Sequence, residues 1–433
     1  MSATRVLFIV HNHPSVQAGG TESYTLNLYE TLRRSPDFEP MIVARVDRPA
    51  NAPAGTRFTP FPGDPNQYLV QIETEGYDFT LQTFRNKSLY VRDFADFLTT
   101  HRPDVVHFQH HLYIGADLIS AVRRLLPSVP IVYTLHEFLP ICNHYGQLIR
   151  TKGRGLCLEA SPRRCNECYP EISAQTFFMR KRLIQSHFSE VDLFIAPSRF
   201  LLDRYVDWGI PEDRIRHVEH GFPPVIRLDE RPSRRRNRFA FFGVMTPFKG
   251  INVLLRAMVL LGPNFDGHLS IHGTGKLQMP DETAEVQHEI DELIAQAGAV
   301  TLCGPYDHER DMPRLMSETD WVVMPSIWWE NSPLVIAEAF QYGRPVICSD
   351  IGGMAERVTH EVNGLHSRVG DPGTLAGTIS RAATTPGLWE KLQAGIPPVR
   401  SIDDHAAELT EIYREMLSRR AEAENGSAVV AGW

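Results

Sequence analysis

Short runs of apolar residues recur along this chain, and stretches of helical periodicity fall between them. The runs in the first half are Arg5–Val10, Pro40–Val46, Tyr77–Gln82, Val105–Phe108, Ile131–Leu135, Asp192–Ala196 and Ile215–Glu219. A run that is apolar at nearly every position suits a strand buried on both faces. Helical spacing follows the first run, with Tyr24, Leu28 and Leu32 on one face and Thr21 as the expected cap. It also marks Arg85–Thr100, Ile114–Leu126 and Arg199–Trp208. Strands alternating with helices imply a parallel sheet covered on both sides. Residues 221–238, GFPPVIRLDERPSRRRNR, break the rhythm and read as a linker. The basic run Arg234–Arg236 is expected to be solvated, with a phosphate-bearing lipid surface as the alternative. The alternation then restarts with Phe239–Phe242, Leu269–His272, Val300–Cys303, Trp321–Met324 and Pro345–Cys348, and Ile251, Leu254, Leu255 and Met258 line a helix face. Ser401 suits the cap of a last helix whose Leu409, Ile412, Tyr413, Met416 and Leu417 form an amphipathic stripe.

The pattern therefore predicts an α/β chain with two Rossmann-like domains. Residues 1–222 form the first, with a cysteine-containing insert at 139–170. A linker at 223–238 leads to the second domain, 239–400. A helix at 401–421 and a tail at 422–433 follow. The bulk properties narrow the classes of function. A formal net charge of −8 argues against a general nucleic-acid binder. No apolar run is long enough to cross a membrane, and MSATRVLFIV lacks a signal-peptide layout. The expected location is the cytoplasm, with the inner face of the membrane as a candidate peripheral surface.

Ligands of such sheets bind beyond the carboxyl ends of the strands, here in the expected cleft between the domains. The most informative strand end is DWVVMPSIWWENSPLVIAEAFQYG, residues 320–343. Ser332 is expected to cap the helix and Pro333 to occupy its first position. Glu330 lies just before the cap and Glu338 on the helix. Helix N-termini attract phosphate, because their first amides lack partners and the dipole adds positive charge. An anion seat with two carboxylates suits a nucleotide-sugar; a plain strand-to-helix turn with two surface glutamates is the alternative. Other strand ends supply Gly19 and Gly20, then His136 and Glu137, then Gly243, Thr246 and Lys249, then Gly273, Gly275 and Lys276, then Tyr306. Two glycine loops and lysines facing a helix start suit a diphosphate. GTGK is not a P-loop, no G-x-G-x-x-G follows a strand, and no Asp-x-Asp occurs. The second absence disfavours a dehydrogenase. His107, His110 and His111 follow a strand as well, and a metal site there is the lesser alternative to structural or acceptor contacts.

Taken together, the residues resemble the retaining GT-B glycosyltransferases of family GT4, also called glycosyl transferases group 1. The resemblance runs from about residue 5 to 418. It rests chiefly on Glu330-x7-Glu338, continuing through EAFQYGRPVICSDIGGMAERVTHEVNG. AGGTES, RPDVVHFQHH, TLHEF, APSRF, GIPEDRIRHVEHGF and GVMTPFKG support it, in that order. It implies a GT-B fold, with a C-terminal helix crossing back to the first domain. It implies a nucleotide-sugar donor, UDP- or GDP-linked, in the second domain and a glycan, lipid-linked or small-molecule acceptor in the first. Glu330 would orient sugar hydroxyls, Glu338 would hold the ribose, and His136 would touch the reacting sugar. Lys249 and the amides of Asn331, Ser332, Pro333-Leu334-Val335 and Gly20 would meet the diphosphate. Transfer would retain configuration without a catalytic cofactor or divalent metal. Val244 stands where many relatives carry arginine, and Lys276 is the candidate compensating cation. A nucleotide-sugar-binding GT-B protein without transferase activity, for example an epimerase, is the alternative.

Cys142, Cys157, Cys165 and Cys168 are spaced C-x14-C-x7-C-x2-C within the insert. The insert has few large apolar residues, so a structural zinc bound by the four thiolates is the expectation. An iron–sulfur cluster, and free thiols or a disulfide, are the alternatives. Cys303 and Cys348 read as small core residues.

Overall fold

The computed structural model describes residues 3–16, 19–47, 56–153, 155–228, 235–273 and 283–430, without the side chains of 283–287 and 423–430. Gly275, Lys276 and Arg234 lie outside the described residues. The chain forms two compact units, Met1–Pro223 with Arg400–Trp433, and Pro224–Val399.

The first unit is built on an eight-stranded sheet. Its strands in chain order are β1 (Thr4–Val10), β2 (Phe38–Val46), β3 (Phe58–Phe61) and β4 (Asp64–Gln71). A two-stranded ribbon of β5 (Tyr77–Asp78) and β6 (Thr83–Phe84) stands apart, and β7 (Val105–Phe108), β8 (Ile131–Thr134), β9 (Leu193–Ala196) and β10 (Ile215–His217) complete the sheet. The order is β10-β9-β8-β7-β1-β2-β4-β3, parallel except for the β3–β4 pair. Val6 to Val10 are fully covered, as the continuous apolar run requires. The helix Gly20–Arg33 follows β1, with Gly19 rather than Thr21 in the cap position. Thr21 lies inside the first turn, where its carbonyl accepts from the Thr25 hydroxyl at 2.7 Å. The last helix, Ile402–Val430, packs Leu409, Ile412 and Tyr413 into the same core as Val6, Phe8 and Leu28. Ser401 Oγ accepts from the Asp404 N–H at 3.0 Å at its start.

The last helix runs to Val430, where a tail from residue 422 was expected, and two elements of the first half also depart from the sequence reading. Tyr77–Gln82 is not a strand beyond Asp78, because Asp78 Oδ1 accepts from the Leu81 N–H at 2.8 Å and Gln82 takes a left-handed φ of 55°. The aspartate side chain offers the backbone a turn in place of a ladder. Arg85–Thr100 is not one α-helix; Leu89–Phe94 is π-helical and Ala95–His101 α-helical.

The second unit holds a six-stranded parallel sheet. Its strands are β11 (Arg238–Phe242), β12 (His268–His272), β13 (Val300–Gly304), β14 (Trp321–Met324), β15 (Val346–Ser349) and β16 (Gly364–Ser367), ordered β13-β12-β11-β14-β15-β16. Phe239, Trp321, Val323 and Ile347 face helix residues Ile251, Leu254 and Leu255 on one side. Phe242, Val322 and Met324 face Ile336, Phe340 and Met316 on the other. Arg236 is not solvated as expected. Its guanidinium lies 3.5 Å from the Trp389 ring centroid and 3.4 Å from Asp320. Asp320 is fully buried, and Arg238 also pairs with it at 2.9 Å. A buried carboxylate needs such partners to remain inside.

Candidate functional site

The carboxyl ends of β11, β12 and β13 are joined by backbone contacts. Gly243 N–H donates to His272 O, and Gly273 N–H to Gly304 O, both at 2.9 Å. Gly273 has φ 149°, and a Cβ there would come within 1.8 Å of Gly243 O. Only glycine permits that approach. Thr246 Oγ caps the short turn Pro247–Lys249. The next residue, Gly250, has φ 72°, and a side chain there would collide with Pro325 O. The β11 and β14 loops are therefore pressed together, which carries Lys249 to Glu330.

Glu330 Oε1 accepts three hydrogen bonds: from Lys249 Nζ at 2.7 Å, Trp328 Nε1 at 2.8 Å and Ser326 Oγ at 2.9 Å. The Trp328 indole thus ties the loop to Glu330. The helix after the loop is Leu334–Gln341, one residue shorter at its start than expected. Pro333 takes the cap position with ψ 120°, and Ser332 makes no cap bond. Asn331 and Ser332 lie in the approach to the helix, and Leu334 and Val335 open its first turn. Glu338, on its buried side, has Oε1 2.8 Å from His308 Nε2. Glu330 is 7% and Glu338 9% exposed, so neither is a solvated surface glutamate. His308 opens the helix His308–Ser317; the hydrogen bond to Glu338 raises its pKa above the ordinary imidazole range, against the effect of burial. Tyr306 lies edge-on to Phe242 at 5.7 Å, and Phe242 stacks on His272 at 4.9 Å. Burial, with Glu338 nearby, pushes the Tyr306 phenol up. A cavity of about 360 Å³ opens beside His272 and Tyr306 but does not include either glutamate.

In the first unit, His136 is half-buried, with Nε2 2.9 Å from Gln109 Oε1 and Tyr24 edge-on at 5.3 Å. Burial holds it neutral, well below the ordinary imidazole range. Gly19 and Gly20 open a helix whose own Glu22 folds back, so that its Oε2 would lie 2.5 Å from a Cβ on Gly19. The other oxygen, Oε1, is 3.1 Å from His11 Nε2. A carboxylate already stands at that helix start. The three clustered histidines do not form a metal site. His107 meets Tyr413 and Thr134, His111 meets Tyr133 and Gln82, and His110 meets Glu137 and the Leu112 N–H. All their ring nitrogens are engaged.

The expected zinc site is not assembled either. Cys142, Cys157, Cys165 and Cys168 form no disulfide and line one small cavity that they share with Leu148, Ile149 and Tyr169. Among the described residues, no group of three or more His, Cys, Asp and Glu side chains could hold a metal ion. The insert is closed by other means. Leu139, Ile141, Leu148 and Ile149 are all buried, so it does contribute apolar core. Cys157 N–H donates to Leu148 O at 2.7 Å. The buried Arg180 guanidinium donates to the carbonyls of Leu139, Pro140 and Ile141. Burial pushes the Cys142 thiol up to about 12.

His308, Ser326 and Gln109 carry no signal of their own among the motifs of the sequence. His308 follows Tyr306 by two positions, and its nearness to that strand end is the signal the sequence offers.

Residues 18–224 match the family Glycosyltransferase Family 4, and residues 236–385 match Glycosyl transferases group 1. The chain belongs to this glycosyltransferase family, and its fold is GT-B. An uncharacterized glycosyltransferase of Methanocaldococcus jannaschii is 27% identical over 235 residues, covering 49% of this chain and 57% of that one. The chain spans about half the length, or less, of the curated relatives that it matches first. Sucrose-phosphate synthase from Thermosynechococcus elongatus superposes with a TM-score of 0.68 at 19% identity, covering 96% of this chain and all of that one. HepE from Anabaena, solved with UDP and glucose, gives 0.64 at 17% identity over 95% of this chain and all of its own.

Proposed function

We propose that this chain is a retaining glycosyltransferase that moves a sugar from a nucleoside-diphosphate sugar to a hydroxyl acceptor in glycan, polysaccharide or glycolipid synthesis. The observation that carries the reading is the pair Glu330 and Glu338. They are buried at either side of a helix start, with Lys249 bonded to the first. The first-turn amides at Leu334 and Val335 would take phosphate oxygens. Glu330, with Oε1 saturated, would turn Oε2 to the sugar hydroxyls, and Glu338 would take the ribose. Breaking the glycosidic bond leaves an oxocarbenium-like sugar and a departing phosphate. Donors already aimed at that phosphate stabilise the charge as it develops. In a front-face route the leaving phosphate accepts the proton of the incoming hydroxyl, so no enzyme nucleophile is needed. Neutralisation falls to Lys249, amides and the helix dipole, in keeping with a metal-independent step. In the first unit, His136 and Gly20 are candidates by resemblance alone. HepE was solved with UDP, which supports a uridine donor. Family membership does not favour the non-transferring alternative.

Slow hydrolysis of UDP-, GDP- and ADP-sugars tests the reading without an acceptor. One of them should turn over, and Glu330→Ala should lower that rate about 100-fold or more while far-UV circular dichroism stays unchanged. A fully active Glu330→Ala protein would sink the assignment.

A further inference from the structure

Glu338 is met from a separate element. His308 begins the helix His308–Ser317, whose start is fixed by Asp307 Oδ1 accepting from the Arg310 N–H at 2.8 Å. That start sets the imidazole where Nε2 lies 2.8 Å from Glu338 Oε1, thirty positions away in sequence. A glutamate side chain has several rotatable bonds, and one that must bind a vicinal diol gains from being held in one orientation. A donor on one oxygen does this and leaves the other oxygen's lone pairs open.

We propose that His308 is a positioning residue, which holds Oε1 of Glu338 so that Oε2 is presented to the ribose hydroxyls of the nucleotide. The inference rests on the reading of Glu338 as the ribose contact. The groups facing His308 reinforce the donor role: Glu338 from the neighbouring helix, and Glu309 and Asp307 from its own segment, all favour the protonated imidazole. The His308 side chain is 59% exposed, so solvent screens those charges and the hydrogen bond to Glu338 carries the effect.

The test is calorimetric binding to the full chain. Whichever of UDP, GDP and ADP binds is compared with the same nucleotide lacking the ribose 2′- and 3′-hydroxyls. His308→Ala should weaken the ribonucleotide about tenfold, the scale of one charge-assisted hydrogen bond, and leave the dideoxy form unchanged. His308→Gln, whose amide N–H can donate to the same oxygen, should stay within about threefold of the wild type. In nucleotide-sugar hydrolysis, His308→Ala should raise KM and leave kcat unchanged. Equal weakening of both nucleotides, or none, overturns the proposal, and so does a His308→Gln protein as weak as His308→Ala. Glu338→Gln separates the two levels. If it keeps the wild-type preference for the ribonucleotide, the ribose reading falls; if it loses that preference while His308→Ala keeps it, only the inference falls. A chain that binds none of the three nucleotides overturns both.

Discussion

Glu137 carries a half-buried carboxyl whose Oε1 lies 3.0 Å from His110 Nε2. Burial pushes Glu137 up from 4.5 to about 8 and His110 down from 6.5 to about 4, so at neutral pH the proton sits on the glutamate and the imidazole is neutral. The two groups lose their contributions to stability in opposite directions of pH change. Between 4.5 and about 8 the folded Glu137 binds a proton that the unfolded one does not, so its contribution falls as pH rises through that window. His110 contributes fully above 6.5, and that contribution is lost as pH falls toward about 4. Glu137→Gln should therefore flatten the loss of stability between about pH 6.5 and 8 in urea titrations, and should leave the acid limb in place. An unchanged alkaline slope would show that Glu137 is ionised in the folded protein. At this scale the sequence was legible where a residue's role follows from its position at a strand end, as for Glu330, Glu338 and Lys249. It was not legible where a role depends on which way a loop turns. Trp328 and Trp329 are indistinguishable in the sequence, yet it is Trp328 whose indole N–H reaches Glu330. His308 lies two residues past Tyr306, and its contact with Glu338 exists only once two helices have packed.

Elements were read best where burial alone sets them. Val105–Phe108 and Trp321–Met324 are apolar runs or nearly so, and both strands have the bounds that their patterns predict. The strands β3 and β4 escaped notice because their sequences carry Pro60, Pro65 and a row of polar residues. Proline is tolerated in β3 because it lies at the sheet edge. The last helix shows how an element announced by its stripe is then fixed by polar contacts that the stripe does not reveal. Tyr413 donates or accepts at His107 Nδ1 over 2.7 Å, and Tyr24 does so at His405 Nε2 over 2.7 Å. Both histidines are fully covered, and burial holds both down to about 3. Tyr413→Phe keeps the ring and removes the hydroxyl, which leaves a buried imidazole nitrogen without its partner. The expected loss is about 1–3 kcal/mol in urea unfolding. A variant as stable as the parent would mean that water replaces the hydroxyl.

At the scale of the whole chain, the apolar cores of the two units have no residue in common. One core gathers Val6, Phe8, Leu28 and the last helix, and the others gather residues between Val225 and Val399. The chain enters the second unit at Pro224 and leaves it at Val399, so the first unit is assembled from both ends of the sequence. Perturbations of one core should thus be separable from ligand effects on the other. Leu409 is fully buried in the first unit's core. Leu409→Ala should cost about 3 kcal/mol through lost burial and an incompletely refilled cavity. In a calorimetric scan this variant should lower one of two transitions and leave the other in place. A nucleoside diphosphate at about 100 times its Kd should raise the untouched transition, by a stabilisation of about 2.7 kcal/mol. Because the proposed donor residues Lys249, Glu330 and Glu338 all belong to the second unit, the ligand and the substitution should act on different peaks. A single transition that moves with both would show the two units unfolding as one cooperative body.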